Sequence, residues 1–154
     1  MRRSEKEITD YQEIAAIMGK AAVCRIALVD GDEPYVIPVN FVVKDNGLYF
    51  HSSRQGRKID ILRKNNRVCF EIDLDFATVR GDTPCSWGAR YLSVIGFGRA
   101  AFLNTPEEKI QALNYLMGKY VGAGAFPYRD EALEKVAVIC VCMEKITGKK
   151  SGYK

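Results

Sequence analysis

Two spacings of apolar residues organise this chain. Over Pro34–Val43 the apolar side chains alternate, with Tyr35, Ile37, Val39, Phe41 and Val43 on one face and Val36, Pro38, Asn40 and Val42 on the other, which predicts a strand. The same alternation predicts strands over Ala22–Val29, Leu48–Ser52, Arg67–Asp73, Ala89–Leu103 (bent at Gly96 and Gly98) and Val136–Ile146. Helical spacing takes over in three places. Thr9 or Asp10 can cap a helix reaching about Lys20, with Ile14, Ile17 and Met18 as its apolar face. Ile59 and Leu62 carry a helix over Gly56–Asn65. Thr105-Pro106-Glu107-Glu108 supplies a cap, a proline at the first helical position and first-turn acids for a helix buried through Ile110, Leu113, Leu116 and Met117.

Turn chemistry links these elements. Asp30-Gly31-Asp32 and Asp45-Asn46-Gly47 read as hairpin turns, Leu74–Gly88 as a long irregular loop, and Val121–Arg129 as a glycine-rich loop. Six strands in mostly hairpin order with about three helices predict a mainly β (α+β) fold. The architecture expected is a six-stranded antiparallel split barrel with helices at its ends, forming a single domain over 1–154.

Composition narrows the function classes. At 154 residues with 47% apolar content, the chain can bury one sizeable core. A net charge of +4 without a basic stripe carrying interleaved aromatics argues against nucleic acid as a partner. Lys149, Lys150 and Lys154 read as a solvated tail. MRRSEKEITDYQ has no apolar leader segment, and no apolar run approaches the ~20 residues of a membrane span. Five cysteines without a framework of spacings predict reduced thiols and a cytoplasmic protein. Cys140 and Cys142 share a strand face with no second pair nearby, so they read as buried thiols and no metal site is expected. Cys85 has no base beside it in sequence to make it a nucleophile.

The candidate chemistry sits in LYFHSSRQGRKIDILR, Leu48–Arg63. An apolar strand runs through a polar turn into a helix that opens on Arg57 and Lys58. A helix N-terminus carries partial positive charge, so cations belong at the other end. Two cations there, behind the hydroxyls of Ser52 and Ser53, form a cradle for a phosphate; the alternative is a helix start with its cations in water. His51, the only histidine, is either a turn residue or a proton donor beside that anion. Pro38 marks an edge strand or a gap in the ladder where a flat ligand meets backbone. Trp87 and Tyr91 either cover a ring system or plug a barrel end.

PYVIPVNF, LYFHSSRQGRKIDILRKN, RVCFEID, CSWGARYLSVIGFGRA and ITGK together resemble the flavin-binding split-barrel superfamily typified by pyridoxamine 5′-phosphate oxidase, and within it the 5-nitroimidazole-resistance (Nim) group. The resemblance covers nearly the whole chain, and the strand–turn–helix unit with its Arg-Lys pair is its specific part. It implies FMN at a homodimer interface. The phosphate would lie on Arg57 and Lys58, the ring against Ile37, Pro38, Val39 and Asn40, with His51 and Ser52 lining the cofactor, Ser93 near the ring and Trp87 as a lid. It further implies flavin-dependent reduction of a small flat acceptor, with His51 donating a proton and NAD(P)H or another donor supplying electrons. Pyridoxamine-phosphate oxidases carry an Arg- and Trp-bearing C-terminal segment that grips the substrate phosphate. This chain ends at Lys154 without one, which disfavours vitamin B6 oxidation. The superfamily also holds binders of the deazaflavin F420 and of haem, so the rival expectation is a non-catalytic flavin or haem binding or sensing module.

Overall fold

The computed structural model describes residues 3–153; Lys154 of the expected basic tail lies outside them. Its strands are β1 (Glu7–Ile8), β2 (Cys24–Asp30), β3 (Glu33–Val39), β4 (Val42–Lys44), β5 (Gly47–Ser53), β6 (Arg67–Val79), β7 (Gly88–Leu103) and β8 (Val136–Ser151). The helices are α1 (Tyr11–Lys20), α2 (Arg57–Lys64), α3 (Pro106–Tyr120) and α4 (Asp130–Lys135). All pairings are antiparallel, in the order β3-β2-β6-β7-β8-β5-β4, with β1 also on β8.

The strand expected over Pro34–Val43 is two strands. β3 ends at Val39 and β4 starts at Val42, and these two lie at opposite ends of the sheet path. Three residues span at most about 11 Å. The two open edges are therefore neighbours, and the sheet must curl into a barrel that is split between β3 and β4 rather than closed. The break at Asn40–Phe41 is held by one side chain. The Tyr120 hydroxyl accepts from the Phe41 backbone N–H at 2.9 Å and lies 2.7 Å from the Ala22 carbonyl, to which it donates. Tyr120→Phe leaves the buried Phe41 amide without that acceptor. The expected cost is about 1–3 kcal/mol, read by chemical denaturation, with Phe41 amide protection lost in hydrogen exchange.

The segment expected as a loop over Leu74–Gly88 is mostly a hairpin. The ladder runs to Leu74↔Leu92, slips, and resumes at Ala77↔Arg90 through Val79↔Gly88. Asp75, at φ 56°, takes the backbone through the slip. Irregular composition hid a strand whose partner lies just beyond the turn. β7 and β8 slip between Phe97 and Gly98, at the predicted bend, where Glu144 is the extra residue on β8. A Cβ on Gly98 would overlap the Cys142 carbonyl, and one on Gly96 would overlap the Phe70 ring. β8 runs five residues past its expected end at Ile146, so Lys149 and Lys150 belong to the sheet, and Lys149 Nζ donates to the Tyr91 hydroxyl at 2.6 Å.

The barrel interior holds Ile26, Leu28, Leu48, Phe50, Phe70, Ile72, Val94 and Ile139, all buried. Ile14, Ile17 and Met18 of α1 close one side of it and Ile59, Ile61 and Leu62 of α2 another, as their helical spacing predicts. In α3 only Leu116 of the expected apolar face is buried, with Ala112; Ile110, Leu113 and Met117 are half-buried. Cys142 is exposed and Cys140 half-buried, which corrects the expectation of two buried thiols. Position 142 pairs with Gly47, a residue with no side chain to cover it.

Candidate functional site

The strand–turn–helix unit forms as expected. β5 ends at Ser53, Arg54–Gln55 make the turn, and Gly56 is the helix cap at φ 114°. No neighbouring atom crowds Gly56, so it is the left-handed backbone conformation that calls for glycine there. The Asp10 side chain caps α1 and the Thr105 side chain caps α3, whereas no side chain caps α2. The first N–H groups of α2 are thus left for another acceptor.

Burial alternates along β5, so Ser52 points inward and His51 outward. Ser52 Oγ is buried without a hydrogen-bond partner, the one such side-chain atom among the described residues. A buried hydroxyl without a partner costs roughly 1–3 kcal/mol, so one that persists needs a reason. Lys58 is half-buried and forms no ion pair among the described residues. Arg57 behaves differently. Its Nε lies 3.2 Å from an Asp30 carboxylate oxygen and its guanidinium 2.9 Å from one of Glu33, over the Tyr35 ring at 4.8 Å. These two carboxylates hold Arg57 firmly charged. The sequence offered Asp30-Gly31-Asp32 only as a turn; that the turn carries the partners of Arg57 becomes visible once β2–β3 folds against α2.

The other candidate residues are spread over the molecule. Ile37 and Val39 are buried in the core, while Pro38 and Asn40 are exposed on the opposite face of β3. β3 is an edge strand, where a proline is tolerated. Ser93 is half-buried on β7, opposite Asp73 and Lys149. It lies three strand spacings from β3, about 14 Å. Trp87 follows a short turn (Pro84–Ser86) at the far end of the β6–β7 hairpin, half its surface exposed. Ser52, Arg57 and Lys58 thus lie on one strand–turn–helix unit, whereas Ser93 lies on β7 and Trp87 just before it. No group of three metal-ligating side chains exists among the described residues.

A family model for pyridoxamine 5′-phosphate oxidase matches residues 10–150. The chain belongs to that family. A candidate 5-nitroimidazole antibiotic resistance protein of Bacteroides thetaiotaomicron is 35% identical, with a TM-score of 0.83 over 93% of this chain and 85% of that one. The flavocytochrome Anf3 of Azotobacter vinelandii superposes with a TM-score of 0.89 over 99% of this chain and 72% of that one; at 18% identity it shows a shared fold. An uncharacterised protein of Rhizobium meliloti is 29% identical over 92% of this chain and 93% of its own length. Family membership accounts for the split barrel, and the strand–turn–helix unit is the part of it where this chain concentrates unsatisfied donors.

Proposed function

We propose that this protein binds FMN as a cytoplasmic homodimer and reduces flat nitroaromatic acceptors of the 5-nitroimidazole kind. The observation that supports the cofactor reading is the partnerless Ser52 hydroxyl on the strand that leads into an uncapped helix start bearing Arg57 and Lys58. A phosphate satisfies all three at once: it accepts from the hydroxyl and the free N–H groups and is neutralised by the cations. Arg57, tied to Asp30 and Glu33, orients the cradle, and Lys58 supplies the charge not already matched. The exposed backbone edge around Ile37–Asn40 holds the ring, and His51 holds a proton for the acceptor. When bound, the flavin supplies the redox chemistry, with NAD(P)H or another donor providing electrons.

The dimer rests on two observations. Ser93 lies about 14 Å from β3, three strand spacings away, which supports a second copy supplying one side of a ring site that draws on both. The outer sheet face also leaves Val36, Ile95 and Phe97 exposed around a polar centre where Arg25 pairs with Glu71 and Asp73. A two-fold contact there covers the apolar residues of both copies. Sedimentation is expected to give a dimer at micromolar concentration; a flavin-loaded monomer would contradict it. The substrate reading is supported by likeness to the Bacteroides protein.

Absorption of the purified protein tests the cofactor, with two flavin bands expected and FMN released on denaturation. A Soret band instead would favour the haem-binding module. The activity is tested anaerobically, by adding a 5-nitroimidazole to the reduced protein and following reoxidation together with loss of the nitro chromophore, the hydride equivalent of each reduced flavin taking nitro to nitroso. Flavin that stays reduced, or reoxidises with the nitro group intact, leaves a non-catalytic flavin module. His51→Ala is expected to retain flavin and slow reduction about 10²-fold, the low end for a general acid. An unchanged rate returns His51 to the role of a surface turn residue.

A further inference from the structure

A second concavity lies on the other flank of α2, away from the Arg57 ion pairs. It is a cavity of about 720 Å³ between α2, the β7–α3 connection, α4 and the start of β8, within the size range of small-molecule sites. Its apolar wall is built by Ile59, Phe102, Leu133, Val136 and Ala137. Three cations from three separate elements line it: Arg54 from the β5–α2 turn, Arg63 from the last turn of α2, and Lys109 from α3. A smaller, polar cavity of about 530 Å³, lined by Ser53, Arg54, Gln55, Arg63, Glu134 and Lys135, shares Arg54 and Arg63 with it. Arg54, Arg63 and Glu134 therefore stand where the two chambers meet, the larger of which carries the apolar wall.

Among the described residues none of these cations is neutralised by an ion pair, and two of them are held in place by carbonyls. Lys109 Nζ donates to the carbonyls of Leu133 at 2.8 Å and Val136 at 3.2 Å, and Arg54 donates to the Glu134 carbonyl at 2.8 Å. Both grip the C-terminal end of α4, where carbonyls lack helical partners. Arg63 has no hydrogen-bond partner among the described residues, and none of the three forms an ion pair there. Asp130 and Glu134 also line the larger cavity, both exposed on α4, yet neither carboxylate comes within pairing distance of these cations. Over the two chambers four cations, counting Lys135, face two acids. A pocket with one apolar wall and a guanidinium at its mouth fits a molecule with an apolar body and an anionic head, the head paired to the planar fork of arginine.

We infer that this double chamber is a binding site for a small amphipathic carboxylate, its apolar body against Ile59, Phe102 and Leu133 and its carboxylate on Arg63 and Arg54. The chambers border the β5–α2 turn, yet none of Ser52, Arg57 and Lys58 lines them, and the inference does not depend on the flavin reading. Calorimetric titration of the whole protein with 4-phenylbutyrate tests it, with 4-phenylbutyramide as the neutral twin. Saturable binding at a stoichiometry of one per chain is expected, at least tenfold weaker for the amide. Arg63→Ala, at an exposed position that leaves the core intact, is expected to weaken phenylbutyrate at least tenfold while leaving the amide unchanged. Arg63→Lys restores part of the loss, and Lys20→Ala, the same charge change at the end of α1, leaves phenylbutyrate binding unchanged. Absence of saturable binding, equal affinity for acid and amide, or equal affinity in Arg63→Ala overturns the inference.

Discussion

Exchange of Arg57 and Lys58 together for alanine is expected to weaken FMN binding by about 100- to 10,000-fold while the fold persists. Each charge-assisted bond to a phosphate is worth roughly 1.5–3 kcal/mol, and each 1.4 kcal/mol is a factor of about ten in affinity. The two positions are not equivalent. Arg57 already shares its guanidinium between Asp30 and Glu33, so the phosphate must compete for it, whereas Lys58 has no such commitment. Lys58→Ala alone should therefore cost more affinity than Arg57→Ala alone. Ser52→Ala separates the hydroxyl from the charges. It removes a donor to the phosphate, yet it also removes a buried hydroxyl that the protein leaves unpaired, so the flavin-free protein should hold or gain stability while FMN affinity falls. Fluorescence titration of FMN, with thermal unfolding in parallel, reads both quantities. Unchanged FMN affinity in the double variant would remove the physical basis of the cofactor assignment.

Truncation of Phe70 to alanine is expected to destabilise the protein by about 3–5 kcal/mol, a large part of the roughly 5–15 kcal/mol that holds a domain folded. The Phe70 ring is fully buried at the centre of the barrel, on a strand paired with β2 at Ile26 and with β7 at Gly96. The ring occupies the space a side chain at position 96 would need. Gly96→Ala should accordingly cost about 1–3 kcal/mol by overpacking, and the two substitutions should couple. Phe70→Leu combined with Gly96→Ala is expected to be more stable than the sum of the single losses, because the smaller side chain yields the space the new methyl needs. Chemical denaturation of the four proteins completes the cycle; strict additivity would mean that the ring and the glycine do not share that space.

Much of the architecture follows from local pattern. A sheet with one buried face imposes a period of two, and a helix lying on it imposes one of 3.6, so strands β2, β5 and β7 and helices α1 and α2 could be read from the spacing of apolar residues. The Asp10 and Thr105 caps were equally readable, because a cap lies within four residues of the N–H groups it serves. The strand–turn–helix unit was readable for the same reason: β5, its turn and α2 follow one another in the chain.

Tertiary structure decided what depends on residues far apart in sequence. The alternation from Tyr35 to Val43 continues unbroken across Asn40–Phe41, so periodicity could not report the break. Tyr120, 79 residues later, decides it by taking the Phe41 amide. The partners of Arg57 sit 27 and 24 residues earlier, on a turn whose charges look solvated until β2–β3 meets α2. The two edges of the split meet because they are joined through only two residues, Asn40 and Phe41, a constraint of topology. The cavity behind α2 is assembled from α2, β7, α3, α4, β8 and the β5–α2 turn, none of which carries a pocket in its own pattern. Period and capping are short-range consequences of backbone geometry and register in sequence. Edges, ion pairs and cavities are set by which elements pack together, and they become definite once the chain has folded.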